Sequence, residues 1–280
     1  MGVQVIVWLS FVFVKPPWYN RPYFSPVEHR VVVLYALFGL LTGAFLNLAA
    51  DHLPERHSVL NDPRCSYCQA EWSWVDSISL LSLILRGGRC PHCGAPHRWR
   101  RPVLETLTLL TFAFYWLRYG PSLQLLLVTL YTCVLFLVFV IDLEHHLILR
   151  VVIFPAIGIA MIGSFFYPWL GVRRALLGGT LAFLFFYLVA IIGGLIFNRT
   201  AMGRGDANLA AFIGLITGFP EIIFALIISV CLGGLVSLVL VLTRTKGLQS
   251  YIPYGVFLVV GGLAMLVCGQ EIIAWFVGLV

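Results

Sequence analysis

Gly203-Arg204-Gly205-Asp206 is a short polar stretch between two long apolar runs, and it places a carboxylate at the edge of a hydrophobic segment. A carboxylate is costly to place there, so it indicates a functional site. The two glycines allow another backbone to come close. A second acid, Asp142, ends the apolar run Val138-Phe139-Val140-Ile141. Two carboxylates brought together can share a proton and act as acid and base, which is the chemistry of an aspartic protease.

The composition is that of a membrane protein. The chain has 280 residues, of which 60% are hydrophobic and 11% are charged, whereas about 25% of the residues of a soluble domain are charged. We therefore predict an all-α, polytopic membrane protein and exclude a soluble globular enzyme. The net charge of +6 is interpreted as membrane topology, because the basic residues collect between the apolar runs. No nucleic-acid partner is expected.

The apolar runs predict about eight transmembrane helices. The first is expected at 31–50. The other seven are expected near 103–119, 121–141, 151–170, 175–197, 207–219, 221–242 and 253–278.

The N-terminal residues 1–30 are predicted to form an interfacial segment. The apolar run from Met1 to Val14 is broken by Lys15-Pro16-Pro17, and it is shorter than the roughly 20 residues that a spanning helix needs. It lacks the basic beginning and the small-residue cleavage site of a signal peptide.

The polar segment 51–102 contains two C-x-x-C pairs. Cys65 and Cys68 form the first pair, and Cys90 and Cys93 follow after 21 intervening residues. Each pair can supply two of the four ligands of a tetrahedral metal site. The segment therefore predicts a small domain stabilised by structural zinc. Iron fits four thiolates as well, and two disulfides or free thiols are the other interpretations. A core made by Trp72, Trp74 and Trp99 is expected.

The arginines and lysines predict the orientation. With the cysteine segment in the cytoplasm, 12 of the 18 basic residues lie on the inner side, as the positive-inside rule requires. Asp142 and Asp206 then both lie at cytoplasmic ends of spans. A reducing compartment also favours metal over disulfides at the cysteines.

Glu144, His145 and His146 directly follow the first aspartate. A solvated helix end is the simplest interpretation of these residues. A metal site made by Asp142, His145 and His146 is the alternative that their spacing allows.

Five short motifs, in order along the chain, resemble those of the type IV prepilin peptidases. They are Gly43-Ala44-Phe45-Leu46-Asn47, the paired C-x-x-C segment closing with Pro102-x-x-Glu105, Ile141-Asp142-Leu143-Glu144-His145, Gly203-Arg204-Gly205-Asp206 and Ile252-Pro253-Tyr254-Gly255. The resemblance runs from about residue 40 to residue 262.

Four positions depart from the family pattern. Leu149 stands where the family has proline after the first aspartate loop, and Asn208 replaces the lysine that follows the second aspartate. Val256 replaces a proline near the C-terminus, and Ser66 replaces the proline of the first cysteine pair. Both aspartates and all four cysteines are retained, so we expect activity.

The resemblance implies a bacterial inner-membrane enzyme of type IV pilus or type II secretion systems. Residues 103–280 would form its transmembrane aspartyl peptidase domain, with Asp142 and Asp206 catalytic and facing the cytoplasm. The substrates would be prepilins or pseudopilins, cut after a glycine that suits a narrow site lined by Gly203 and Gly205. The family then methylates the new N-terminus with S-adenosylmethionine, and membrane lipid is the remaining partner.

Two other functions compete with this hypothesis. A proton-coupled transporter would place its acids near the middle of the membrane and often contains a repeat, neither of which the sequence indicates. A non-catalytic scaffold of a pilus or secretion assembly is compatible with the four departures.

Overall fold

A computed structural model of the chain describes residues 26–55, 64–65, 67–167, 170–197, 203–243 and 253–278. These residues form helices and no strands, as predicted. The ten helices are α1 (Pro26–His52), α2 (Trp74–Ser77), α3 (Ser79–Arg86), α4 (Arg100–Tyr119), α5 (Leu123–His145), α6 (Arg150–Phe166), α7 (Gly171–Phe197), α8 (Arg204–Thr217), α9 (Glu221–Leu242) and α10 (Tyr254–Gly278). The predicted interfacial segment lies largely outside the described residues.

Five of these helices are long and apolar enough to cross a membrane, namely α1, α5, α7, α9 and α10. The protein is therefore a multi-pass membrane protein. Helices α6 and α8 are apolar but shorter, and α4 includes charged residues near its beginning. Each of the eight predicted spans coincides with a helix, but only five of them have the length and composition of a span within the described part of the chain.

The chain divides into two compact units. The N-terminal unit contains the described residues up to 137, and the C-terminal unit contains those from 138 onward. The predicted domain bounds, 51–102 and 103–280, stay predictions.

In the N-terminal unit, α1 packs closely along α4. A Cβ atom added at Gly39 would lie 2.8 Å from Cβ of Phe112, and one at Gly43 would collide with the Thr108 hydroxyl. Small residues of this kind let two membrane helices approach closely. Tyr35 adds an aromatic contact with Phe112, at 5.3 Å between ring centroids.

The cysteine segment lies between α1 and α4 in the sequence, and ionic and polar contacts tie its two ends together. Asp51 accepts hydrogen bonds from Arg100 at 2.7 Å and from Arg101 at 2.6 Å. The buried Asn47 donates to the backbone oxygen of Arg101 at 3.0 Å and to the Glu105 carboxylate at 3.4 Å. Asn47 and Glu105 belong to two of the short motifs, so the structure brings those motifs together.

In the C-terminal unit, α8 lies at the centre and contacts α6, α7, α9 and α10. Gly178 of α7 and Gly214 of α8 are so close that a Cβ atom on either would collide with the backbone oxygen of the other. Leu209, Phe212 and Ile213 are almost completely buried. Helix α8 is thus a short helix of 14 residues enclosed by other helices. Its first turn includes Asp206.

Candidate active site

Asp142 lies in the last turn of α5, and the end of that helix is fixed by the next few residues. The backbone N–H of His146 donates to the backbone oxygen of Asp142 at 3.0 Å, and His146 has a φ of 54°. This left-handed residue ends the helix and turns the chain away. The side chain of Asp142 is only 3% exposed.

Asp206 lies in the first turn of α8, three residues after the N-cap residue Gly203. Its backbone N–H donates to the Gly203 oxygen at 3.1 Å, and the residue is 7% exposed. An acidic side chain is favourable at the N-terminus of a helix, where the unpaired N–H groups carry partial positive charge. The helix end therefore helps to keep a carboxylate in an otherwise apolar place.

The structure brings these two acids to one place. Asp142 is close enough for its charge to act on Asp206, although 64 positions separate them in the sequence. Both belong to the C-terminal unit. Two buried carboxylates in electrostatic contact disfavour double ionisation, so they favour a state that shares one proton. The two acids therefore lie within range of each other's charge, while their action as a catalytic pair stays a prediction.

The N-terminus of α10 forms a third side of this site. A Cβ atom at Gly255 would lie 2.6 Å from Oδ2 of Asp142, so only glycine fits there without displacing the carboxylate. The backbone N–H of Val256 donates a hydrogen bond to the Asp142 carboxyl group. The Oδ2 atom itself is buried and has no hydrogen-bond partner among the described residues, so its capacity to accept a hydrogen bond is unused.

Ile148 packs between two glycines of the site. A Cβ atom at Gly205 would lie 2.8 Å from Cβ of Ile148, and one at Gly255 would lie 3.3 Å from its Cδ1. Gly205 therefore makes room for an apolar side chain beside the two acids. Gly203 is exposed. The prediction that these two glycines bind substrate stays a prediction.

Sequence reasoning did not assign a role to Gly255, Val256 or Ile148. Their signal was nevertheless present, because Gly255 closes the Ile-Pro-Tyr-Gly motif and Ile148 stands at the end of the first aspartate loop. Ile252 of that motif lies outside the described residues. Only the fold shows that both motifs meet at Asp142.

The histidines after Asp142 form an exposed helix end. Glu144, His145 and His146 are all exposed, as the simpler interpretation predicted. The four cysteines are the only grouping of potential metal ligands among the described residues. The alternative of a metal site made by Asp142, His145 and His146 is therefore not supported.

The four cysteines form a separate site in the N-terminal unit, built from two matching turns. In the first turn the N–H of Gln69 donates to the Cys65 oxygen at 2.9 Å, and in the second the N–H of Gly94 donates to the Cys90 oxygen at 2.9 Å. Gln69 and Gly94 both have positive φ, at 58° and 70°. The two turns therefore have similar backbone conformations.

The sulfur geometry fits one tetrahedral metal ion. The four Sγ atoms lie within 4.8 Å of one another, with 3.8 Å between Cys65 and Cys93 and 3.8 Å between Cys68 and Cys90. Thiolates about 2.3 Å from a tetrahedral ion lie about 3.8 Å apart, whereas a disulfide needs about 2.05 Å. The cluster can thus bind a metal, and the disulfide interpretation does not describe this structure.

The surroundings favour the thiolate at Cys65. Burial raises the pKa of the Cys65 thiol, but hydrogen bonds from the backbone N–H groups of Cys68 and Tyr67 outweigh it, and the pKa falls to about 6. The thiolate is the form that ligates metals. At Cys93 the backbone hydrogen bond from Ala95 is outweighed by desolvation and the neighbouring thiols, which raise the pKa to about 12.

The cysteine segment contains a stack of three side chains, Trp72, His97 and Arg101. Trp72 stacks on His97 with 4.7 Å between ring centroids, and the Arg101 guanidinium lies 4.3 Å from the centre of the Trp72 ring. Burial and the charge of Arg101 lower the pKa of His97, so this ring is neutral at neutral pH. Trp99, which was expected in the core, is mostly exposed; that part of the prediction was wrong.

Two family models match the chain. The Bacterial Peptidase A24 N-terminal domain matches residues 37–119, and the Type IV leader peptidase family matches residues 129–238. Together they include the cysteine segment and both aspartates. No solved structure matches the chain.

Several curated proteins are similar over most of their length. A prepilin leader peptidase/N-methyltransferase of Pseudomonas putida is 27% identical over 87% of this chain and 92% of its own. Proteins of the same name from Bacillus subtilis and Myxococcus xanthus are 29% and 30% identical, over 86% and 80% of this chain and 96% and 66% of theirs.

Proposed function

The chain belongs to the type IV leader peptidase family and is a prepilin peptidase, and we propose that it removes the leader of type IV prepilins or pseudopilins by aspartyl chemistry. The cut falls after a glycine, at the cytoplasmic face of a bacterial inner membrane. The observation that carries this proposal is that two different helix ends hold Asp142 and Asp206 buried and within range of each other's charge.

In the proposed mechanism the two acids share one proton and hold a water molecule between them. The ionised carboxylate removes a proton from this water, whose oxygen attacks the scissile carbonyl. The protonated carboxylic acid donates its proton to the carbonyl oxygen. Collapse of the tetrahedral intermediate then breaks the C–N bond, and a proton passes to the leaving amine.

The surrounding residues support this chemistry. Oδ2 of Asp142 is buried and has no partner among the described residues, so it keeps an unused acceptor for a hydrogen bond in the reaction. The Val256 N–H fixes the Asp142 carboxyl group, and Ile148 provides an apolar wall. A dry, preorganised site strengthens each electrostatic interaction with the reacting carbonyl.

The positions of Asp142 and Asp206 at helix ends support the proposal that the reaction takes place at the cytoplasmic face of the membrane. Asp142 lies in the last turn of a helix that can span a membrane, and Asp206 lies in a first helical turn. The basic side chains collect around the cysteine segment, so the positive-inside rule places that segment in the cytoplasm. A transporter would need its acids near the middle of the span.

We assign the four-cysteine site to zinc in a structural role. Cys65, Cys68, Cys90 and Cys93 supply four thiolates at the spacing of a tetrahedral ion. Such a site has no open position for a substrate, so the metal would stabilise the segment without entering the reaction.

Methylation of the new N-terminus is the second proposed activity. It rests on the names of the similar proteins, which are N-methyltransferases as well as leader peptidases. S-adenosylmethionine would be the methyl donor.

Mass spectrometry of a model prepilin tests the proposal. The substrate is incubated with the purified protein and S-adenosylmethionine, in parallel with the Asp142→Asn and Asp206→Asn variants. We expect cleavage after the leader glycine by the wild type and an intact substrate with either variant. An added methyl group on the product reports the second activity.

One experimental outcome would favour the hypothesis of a non-catalytic scaffold over that of a peptidase. Asn208, Leu149 and Val256 stand where the family has lysine or proline, and such changes can inactivate an enzyme. A folded wild-type protein that leaves several different prepilins intact would support the scaffold.

A further inference from the structure

The short helix α3 presents its large apolar side chains outward and its small polar side chains inward. Ser79 and Ser82 are almost completely buried, whereas Ile84 is 73% exposed and Leu85 is 64% exposed. Leu83, next to them, is also exposed. A helix on the surface of a water-soluble domain has the opposite arrangement. Within the described part of the chain the apolar face of α3 is left uncovered, and an exposed apolar face of this kind marks a contact with an apolar partner.

The position of α3 is fixed by a fully buried carboxylate. Glu105 of α4 accepts hydrogen bonds from the backbone N–H groups of Ser79 at 2.9 Å and Leu80 at 2.7 Å. Asn47 of α1 donates to the same carboxylate at 3.4 Å. These contacts satisfy two N–H groups that a helix leaves unpaired at its N-terminus. Glu105 thus holds the start of α3 against α4.

The depth of this anchor agrees with a membrane surface. Asn47 lies five residues before the end of α1, and Glu105 lies five residues after the start of α4. Five helical residues rise about 7.5 Å. The 27 residues of α1 extend about 40 Å, so this helix exceeds a hydrocarbon core of about 30 Å by about 5 Å at each end. The beginning of α3 therefore lies near the level where acyl chains meet headgroups.

The charge around α3 is complementary to anionic lipid. Residues 64–101 include six arginines and two acidic residues, and four of these arginines form ion pairs with Asp51, Glu71 or Asp76. Arg89 and Arg98 are exposed, and the exposed Trp99 directly precedes α4. Arginine and tryptophan beside an apolar face are typical of a helix that lies in the membrane interface.

We infer that α3 is an interfacial helix that lies on the bilayer, with Leu83, Ile84 and Leu85 inserted between lipid acyl chains. The arginines of the cysteine segment lie at the level of the phosphate groups and favour anionic phospholipid. The bilayer surface thereby holds the four-cysteine segment against the membrane. This inference goes beyond the proposed peptidase reaction and does not depend on it.

Photo-crosslinking from the apolar face tests the inference. The full-length, metal-loaded protein carrying Ile84→p-benzoylphenylalanine is placed in nanodiscs of phosphatidylethanolamine and phosphatidylglycerol and irradiated. Because position 84 is exposed, the substitution leaves the packed side of α3 unchanged. We expect peptides that contain residue 84 to carry the mass of a phospholipid.

The matched control is Glu71→p-benzoylphenylalanine in the same segment. Glu71 is exposed and pairs with the exposed Arg64 at 3.2 Å, so it faces water. We expect at least a tenfold lower yield of lipid adduct from this position. Equal yields from the two positions would overturn the inference, because lipid would then touch the segment without preference for α3.

The same experiment separates the other possible occupants of this face. A crosslink to a second copy of the chain, or one that forms only with an added prepilin, would assign α3 to a protein partner and overturn the inference if no lipid adduct accompanies it. No adduct at all would overturn it as well. Replacing phosphatidylglycerol by phosphatidylcholine should lower the yield of lipid adduct severalfold. An unchanged yield would contradict the part of the inference in which the arginines favour anionic phospholipid.

Discussion

The cysteine site and the aspartate pair are assembled in opposite ways. Each pair of cysteines is held by a turn of a few residues, in which one backbone N–H closes on the leading cysteine. The two acids come from helix ends 64 positions apart, and a third helix adds Gly255 beside them. The metal site is thus mostly a property of local sequence, whereas the acid site is a property of helix packing. Four predictions test this difference, beginning with the largest expected effect.

The acid pair should not tolerate the loss of either carboxylate. We expect Asp142→Asn and Asp206→Asn each to lower prepilin cleavage by about 100- to 10,000-fold, because either change removes the shared proton and the group that accepts it. Initial rates, measured by mass spectrometry at saturating substrate, give the effect. Both variants should retain the wild-type melting temperature within a few degrees. A variant with more than a tenth of wild-type activity would contradict the assignment.

The cysteine site should lose its metal when one thiolate is removed. We expect Cys65→Ser to reduce bound metal from about one ion per chain to nearly none, because a tetrahedral structural site needs all four ligands. Elemental analysis of the purified protein measures this. Cys133→Ser is the matched control, since Cys133 lies in α5 outside the cluster. Equal metal content in both variants would contradict the metal site.

The packing around the acids should be sensitive to a single methyl group. In Gly255→Ala the new Cβ atom would lie 2.6 Å from Oδ2 of Asp142, so the carboxylate must move by most of an ångström. A displacement of about 1 Å can cost about 100-fold in rate, and we expect a loss of this order in turnover. Gly234→Ala is the control, because a Cβ atom there meets nothing within 4 Å. Similar activity in the two variants would show that the site can adapt.

The anchor of α3 should affect stability more than catalysis. Glu105→Gln turns one acceptor oxygen into a donor that faces the N–H groups of Ser79 or Leu80. An unsatisfied buried group costs about 1–3 kcal/mol, so we expect a lower melting temperature of the protein in detergent. Glu71→Gln, in an exposed ion pair with Arg64, should change the free energy of unfolding by less than about 1 kcal/mol. Equal effects would contradict the role of Glu105 as a buried anchor.

Much of the fold and of the site could be predicted from the sequence, for identifiable reasons. The low content of charged residues and the long apolar runs indicated membrane helices, and each predicted span is a helix. The doubled C-x-x-C spacing indicated a cluster that the structure forms. The count of eight spans is not confirmed, because apolar composition does not distinguish a lipid-exposed span from a short helix such as α8, which other helices surround.

The sequence by itself determined the chemistry that is available, namely four thiolates in two C-x-x-C pairs and two carboxylates at the ends of apolar runs. Short turns and helical runs depend on interactions within a few residues, so their outcome can be predicted from the local sequence. The tertiary structure decided which residues meet at Asp142, since Gly255 and Ile148 reach it only through packing of separate elements. It also decided that α3 turns its serines inward, because the buried carboxylate of Glu105 holds the helix in one orientation.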